Sequence, residues 1–537
     1  MKKFIPVSIT APFIEVVKEQ RFLSGLMLFY LFSVIWGTYR FYSPIPQLDM
    51  WEGYLDFYLE LLNGNSDIWW AQHNEHRPIL SRLLFYFDLA FLGGESRLLI
   101  PLNVVLLFSI WYMMLLYADH FLNNKIDSKA YYFFLVLLTV FSLSWKQDEN
   151  IIWAFQSQFW FACLLPLLGF FFLARSESEK KMERGYFVLA ALSGVLSAGS
   201  MANGIFVLPL LTLMSLILRK RPIYSAILGL AAALVFVLYL YDYHTPAEHN
   251  SFFDNIIEKP WQSLVFFIEY VGVIPKNIYA SFIFGLIHLY FIVTVIFNVQ
   301  RHINNPLYVS VVAFLLYYLV TAVVTSGGRV DMGFNAALRG RYTTPAFMSL
   351  SLSLILYLYI KPQHIKYFGK RTVTIIAVLM LGTQIRTVIK NVDKIHDTRD
   401  REVMQMVMGT YSRESLKYGS DIVNYKKIEN IASRAYYKNT SIFAREPFIG
   451  KREKVGKILD DKICHKLIHD NLSDRAVYML SVNESIPVNE AVIITDKDKQ
   501  VIGFGLPSRQ YADSVSVILG DGQNERESGE VIVFRCE

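Results

Sequence analysis

Residues 22–39, FLSGLMLFYLFSVIWGTY, are an uncharged apolar run of 18 residues, close to the length an α-helix needs to cross the hydrocarbon core of a bilayer. Lys2, Lys3, Lys18 and Arg21 precede it, and no small-residue cleavage site stands before Arg40. The run therefore predicts a retained first span and not a removed leader. Similar runs follow at 98–117, 131–145, 153–174, 186–200, 204–218, 223–241, 278–299, 307–326, 346–360 and 372–389. With 53% hydrophobic and only 18% charged residues over 537 positions, the chain has more apolar surface than one soluble core uses. It reads as a polytopic α-helical membrane protein of about 11 transmembrane helices. The stretch 186–218 fits either one long tilted helix or two helices with a tight turn at Asn203-Gly204. The net charge of +6 comes without a Lys/Arg-rich block, which argues against a nucleic-acid partner.

Charge orients the spans. With a cytoplasmic N-terminus, the inner segments hold 18 Lys and Arg and the longer outer segments hold 10, the bias of the positive-inside rule. The count closes when 263–275 lies in the interface or re-enters, as its Pro275-Lys276-Asn277 ending allows. The stretch 79–94, ILSRLLFYFDLAFLGG, is interrupted by Arg82 and Asp88. Two lone charges at mid-span would cost roughly 3 kcal/mol each, so an interfacial helix or hairpin on the membrane is expected there.

Three outer clusters carry the polar chemistry. The first, 44–78, PIPQLDMWEGYLDFYLELLNGNSDIWWAQHNEHRP, mixes carboxylates, two histidines and Arg77 among Trp51, Trp69 and Trp70. Asp49 precedes a helical-looking run, where a helix cap belongs, so capping and catalysis both fit it. His73 and His76 lie three apart without a firm third partner, a weak metal pattern; a structural hydrogen-bond cluster, or acceptor binding by Glu75 and Arg77, reads better. The second cluster, 146–160, KQDENIIWAFQSQFW, sets Trp153 and Gln156 one helical turn apart. It fits an aromatic belt, or an aromatic platform with amide donors for a sugar ring. The third, 325–345, TSGGRVDMGFNAALRGRYTTP, puts Arg329, Arg339 and Arg341 on the side where the charge rule disfavours them. Guanidinium groups suit phosphate oxygens, and Gly327, Gly328 and Gly340 would let backbone approach a ligand. Pairing of these arginines with Asp331 or with the carboxylates of the first cluster is the alternative.

Beyond residue 390 the chain turns polar. The stretches 398–418 and 420–438 read as amphipathic helices, and 491–496, 500–505, 514–519 and 530–535 as strands. This predicts a small extracytoplasmic α+β C-terminal domain, 391–537, after a membrane domain, 1–390, that includes the first outer loop, 41–97. Cys464 and Cys536 would lie outside the cytoplasm, where a disulfide tying down the last strand is expected. Cys163 falls within a span and reads as packing.

The runs DMWEG, QHNEHRP, ENIIWAFQSQF, SMANG and GRYTTP, with the acid-bearing loop after the first span, resemble bacterial envelope proteins of the GT-C superfamily of integral membrane glycosyltransferases. The resemblance covers about 1–390 and implies a GT-C-like fold in a bacterial inner membrane. It further implies a polyprenyl-phosphate-linked sugar as donor, a glycan or lipid acceptor at the outer face, and inversion at the anomeric carbon. In that family the base is an acidic residue early in the first outer loop, which puts Asp49 in the role. Glu52, one helical turn on, shares it or orients the acceptor. Arg341 and Tyr342 are the expected donor-phosphate ligands, with Arg339 second, and Glu75, His76, Arg77, Trp153 and Gln156 would bind substrate. Some relatives use a divalent cation, for which His73, Glu75, His76 and Arg77 are the candidates. An O-antigen polymerase or ligase is the alternative enzyme, since Arg329 to Gly340 matches an Arg-x10-Gly spacing. A lipid-linked glycan transporter or flippase is the non-enzymatic one, though it should bury charges at mid-span.

Overall fold

The computed structural model describes residues 11–245, 252–388, 392–410, 425–459, 464–471, 477–482, 484–511, 513–520 and 530–536. It divides into two compact units: Met1–Tyr39, Trp70–Ser81 and Ile100–Val388 form the first, and Arg40–Trp69, Arg82–Leu99 and Ile389–Glu537 the second. The boundary after Val388 lies beside the expected one. Much of the first outer loop, however, belongs with the C-terminal residues and not with the spans.

Among the described residues of the chain, nine helices are long and apolar enough to cross a membrane. Two of the expected 11 are shorter. Glu183–Ala198 has 16 residues and Val207–Ile217 has 11, about 24 and 16 Å at 1.5 Å per residue. The chain breaks between them at Met201, which is extended, before a short 3-10 turn, Ala202–Phe206. The two-helix reading of 186–218 is therefore the one found. Gly204 is what lets the break pack: a Cβ there would lie 1.8 Å from the Ser197 carbonyl oxygen. Gly204→Ala is expected to lower the thermal unfolding midpoint of the purified protein by several degrees, through a strain of about 1–3 kcal/mol. The expected re-entrant piece is a 12-residue helix, Pro260–Val271.

The second unit contains a six-stranded antiparallel sheet: β1 (Cys464–Asn471), β2 (Val477–Ser481), β3 (Val492–Asp496), β4 (Val501–Pro507), β5 (Ser514–Leu519) and β6 (Glu530–Cys536). Its order is β1-β6-β3-β4-β5-β2. Ile494, Ile502, Val515, Val517 and Val533 pack its core. Four strands were legible from alternation; β1, CHKLIHDN, and the five-residue β2 were not. The helices of this unit are Val392–Met408 and Tyr425–Tyr437, and the expected stretch between them, 411–424, lies outside the described residues. The β1–β6 register sets Cys464 opposite Cys536, and Cys464 is disulfide-bonded; the Cys536 side chain lies outside the described residues.

The acidity of the first outer loop has a structural use in this unit. Glu52, Asp56 and Glu60 recur every four residues, so they share a helical face. That face meets the helix Tyr425–Tyr437. Lys427 reaches Glu52 at 2.5 Å, and Arg434 reaches Asp56 at 2.7 Å and Glu60 at 2.5 Å. Lys438 donates to Asn63 at 2.7 Å. Burial pushes the Asp56 carboxyl above its usual range by more than Arg434 pulls it down, so desolvation offsets part of the attraction. Arg434→Ala is accordingly expected to cost only about 1–2 kcal/mol, less in 0.5 M salt, in denaturant unfolding of the full chain.

The two charges of 79–94 face inward on a helix, Ile79–Phe91. Asp88 is fully buried and accepts from the Tyr54 hydroxyl at 2.7 Å and the Ser96 amide at 3.0 Å. Arg82, 2% exposed, donates to the Trp69 carbonyl and lies over the Phe57 ring.

Candidate functional site

The first unit contains a partly open cavity of about 410 Å3. It is built largely from the helix Pro306–Arg329, which supplies Tyr317, Thr321, Thr325 and Arg329 at four-residue spacing on one face. The helix Ser157–Ser178 adds Phe159, Ala162 and Cys163, and the turn after Met201 adds Asn203 and Phe206. Tyr270 and Tyr342, with ring centroids 4.8 Å apart, form part of the wall. The lining is mostly aromatic and apolar; Asn203, Thr245, Thr321 and Thr325 add neutral polar groups, and Glu75, His76 and Arg329 add a carboxylate, an imidazole and a guanidinium.

A tight turn carries Glu75 and His76 to Arg329, the last residue of the helix Pro306–Arg329. His73 and His76 exchange backbone hydrogen bonds at 2.8 and 3.0 Å, with Asn74 between them at a φ of 49°, a left-handed conformation that asparagine tolerates. The turn projects Glu75, whose two carboxylate oxygens accept from one Arg329 nitrogen at 3.2 and 3.3 Å. His76 Nε2 lies 3.9 Å from Glu75 Oε2, while its Nδ1 accepts from the Ala202 amide at 3.2 Å. That bond fixes the tautomer: the neutral ring carries its proton on Nε2 and presents a donor beside Glu75.

Burial, then the positive charges of Arg329, His73 and Arg341, lower the His76 pKa to about 4 against the raising influence of Glu75. The unfolded chain binds this proton more readily, near pH 6.5. The stability that His76 contributes is therefore complete above pH 6.5 and lost as pH falls from 6.5 to 4, a difference of about 3 kcal/mol. Thermal unfolding at pH 7 and at pH 4.5 should show a wider gap for the wild type than for His76→Gln.

The residues singled out from sequence separate clearly. Glu75, His76 and Tyr342 line the cavity. Arg341 sits beside it, its guanidinium 5.9 Å from the Phe159 ring and 6.0 Å from that of Tyr342. Its Nε lies 3.5 Å from Glu149, which also accepts from the Arg341 amide. Asn150 donates to the Arg341 carbonyl and to Thr344, so the second and third clusters are joined. Arg329 pairs with Glu75 of the first cluster, whereas Asp331 pairs with Lys259.

Four expectations need correction. Arg77 does not face the cavity; it is 3% exposed, and its guanidinium donates to the carbonyls of Trp70, Tyr239, Tyr241 and Asp242. Trp153 and Gln156 are buried and do not line the cavity, and the Trp153 carbonyl accepts from Asn103; no platform is open to a sugar there. Arg339 is exposed and outside the cavity wall. Gly327 and Gly340 serve packing: a Cβ on Gly327 would meet the Phe252 ring at 2.4 Å, and one on Gly340 would meet Glu149 at 3.0 Å, whereas Gly328 lines the cavity with open space at its Cβ position.

Asp49 and Glu52 belong to the second unit. Asp49 is half-buried and does not cap the following helix; Glu52 is bound to Lys427. Among the described residues no three His, Cys, Asp or Glu side chains converge to hold a metal ion, and His76 Nδ1 is already engaged, so these residues do not fit the divalent cation that the resemblance allows. Sequence reading missed Tyr317, Thr321 and Thr325, although their spacing with Arg329 along an apolar span was a readable signal. No family model, no curated protein and no solved structure matches the chain.

Proposed function

We propose that the chain is a GT-C-type membrane glycosyltransferase that moves a sugar from a polyprenyl-phosphate-linked donor to a hydroxyl of an envelope glycan or lipid. The observation that carries this reading is the union, in one largely aromatic cavity, of a carboxylate, a neutral imidazole donor and a guanidinium: Glu75, His76 and Arg329. An aromatic wall suits both the faces of a sugar ring and an isoprenoid tail. The acceptor oxygen attacks the anomeric carbon as the bond from that carbon to the phosphate oxygen breaks, which inverts the configuration. Glu75 takes the acceptor proton, and the leaving phosphate takes the bonding electron pair. Arg329, with Arg341 beside it, meets the charge that develops. The base role thus moves from Asp49 and Glu52 to Glu75, the carboxylate that lines the cavity.

The test is mass spectrometry of envelope glycans from a strain lacking the gene, complemented with the wild type or with variants at matched membrane abundance. The wild type should restore a mass increment of one sugar and Glu75→Gln should not. Identical glycans with and without the gene would refute the assignment.

A further inference from the structure

The lining of the cavity is zoned along the helix Pro306–Arg329. From Arg329 it passes through Thr325 and Thr321 to Tyr317 and Phe314, so a charged end gives way to neutral polar groups and then to rings. Each four-residue step is about 6 Å. Asn203, from the turn after Met201, enters the wall in the neutral zone, where its amide nitrogen donates to Thr321 Oγ1 at 3.1 Å.

The neighbouring bonds fix which way this amide faces. The Thr321 hydroxyl donates to the Tyr317 carbonyl at 2.9 Å, and the Tyr317 hydroxyl donates to the Ala162 carbonyl at 2.8 Å. Thr321 therefore accepts from Asn203, which turns the amide nitrogen toward Thr321 and leaves Oδ1 on the other branch. Oδ1 is buried and has no hydrogen-bond partner among the described residues, an uncommon condition for an amide oxygen in a folded chain. The turn that carries it is held on both sides: His76 accepts from the Ala202 amide, and Gly204 packs against Ser197.

The chemistry of an unused acceptor selects its ligand. It calls for a donor, and an isoprenoid tail has none, whereas a sugar presents hydroxyl and amide N–H groups. Thr321 lies two helical turns, about 12 Å, inside Arg329. Shortened by the inward reach of both side chains, that span suits one sugar ring whose 1-phosphate lies at the guanidinium. Resting on the glycosyltransferase reading, we propose that Asn203 is a specificity-determining residue whose Oδ1 accepts a hydrogen bond from a hydroxyl or amide N–H of the donor's sugar. The sugar, and not the tail, then fills the neutral zone. A sugar without a donor at that position leaves the buried oxygen unpaired and is rejected.

The experiment is isothermal titration of the full chain in lipid nanodiscs. The probes are inorganic phosphate and the 1-phosphates of glucose, galactose, N-acetylglucosamine and N-acetylgalactosamine. The quantity read is the ratio of sugar-phosphate to phosphate affinity. In the wild type the best sugar 1-phosphate should bind about tenfold tighter than phosphate, and in Asn203→Leu that ratio should fall to about one while phosphate binds as before. Asn203→Asp keeps an acceptor in place and should keep the preference. Asn203→Ala removes the acceptor without adding bulk and carries the same expectation as leucine, should the leucine variant not fold. An unchanged ratio in the folded leucine or alanine variant would overturn the proposal. So would an equal loss of phosphate and sugar-phosphate binding, which marks a structural role. A wild type that prefers none of the sugar phosphates counts instead against the glycosyltransferase reading, and the role of Asn203 falls with it.

Discussion

Glu75→Gln is expected to lower sugar transfer about 10²–10⁴-fold, the contribution of a positioned general base, while leaving the protein folded in the membrane. Glutamine keeps the shape of the side chain and can still receive a hydrogen bond from Arg329 through its amide oxygen, but it cannot accept the acceptor proton. The loss should fall on kcat, because the proton is transferred only in the transition state. Asp49→Asn and Glu52→Gln give the comparison. Glu52 is already engaged with Lys427, and Asp49 lies in the second unit, so both variants should retain transfer within a few-fold of wild type. Arg329→Lys separates the two halves of the site. A lysine keeps the charge but replaces the planar guanidinium, one nitrogen of which reaches both carboxylate oxygens, with a compact ammonium, so its transfer should fall less than that of Glu75→Gln. Full activity of Glu75→Gln together with an inactive Asp49→Asn would return the base to the start of the loop.

How much of this was readable depended on whether a residue's partner is local. Strands β3 to β6 announced themselves through alternation and turn residues, and the boundary after Val388 through a change in composition. The face shared by Glu52, Asp56 and Glu60 was equally present in the sequence, since a four-residue spacing needs no tertiary information. Its meaning was not, because Lys427 and Arg434 lie more than 370 positions away. A loop dense in carboxylates therefore looked like chemistry when three of its acids, Glu52, Asp56 and Glu60, serve docking. The opposite error befell the helix Pro306–Arg329. There the stripe Tyr317, Thr321, Thr325 and Arg329 is local, but within a strongly apolar run it passed as packing. The Glu75–Arg329 pair, 254 positions apart, was open as one of two pairings, and only the fold chose between Glu75 and Asp331.

Arg77 shows the remaining kind of gap, and the largest stability effect is expected from it. A charged residue beside Glu75 and His76 reads as a ligand contact, yet its environment makes it a clamp. Its nitrogens donate to Trp70 at 2.7 Å, Tyr239 at 3.1 Å, Tyr241 at 2.7 Å and Asp242 at 3.2 Å, and its guanidinium lies over the Trp70 ring. The Tyr239 hydroxyl accepts from the Arg77 amide and donates to the Glu75 carbonyl, so the same contact fixes the backbone of the turn that carries Glu75. Arg77→Met fills a similar volume but removes the donors from all four carbonyls, of which that of Tyr239 belongs to a buried residue. Each charge-assisted bond is worth about 1.5–3 kcal/mol and the set is not additive, so a loss of about 3–5 kcal/mol is expected. Arg77→Lys should be intermediate, since an ammonium cannot span carbonyls set around a planar fork. The measurement is thermal unfolding of the purified chain beside steady-state kinetics. For a clamp, the unfolding midpoint falls in the order wild type, Lys, Met, and kcat falls with it as Glu75 loses its placement. A ligand contact would instead raise KM in Arg77→Lys at an unchanged midpoint, and that result would return Arg77 to the substrate.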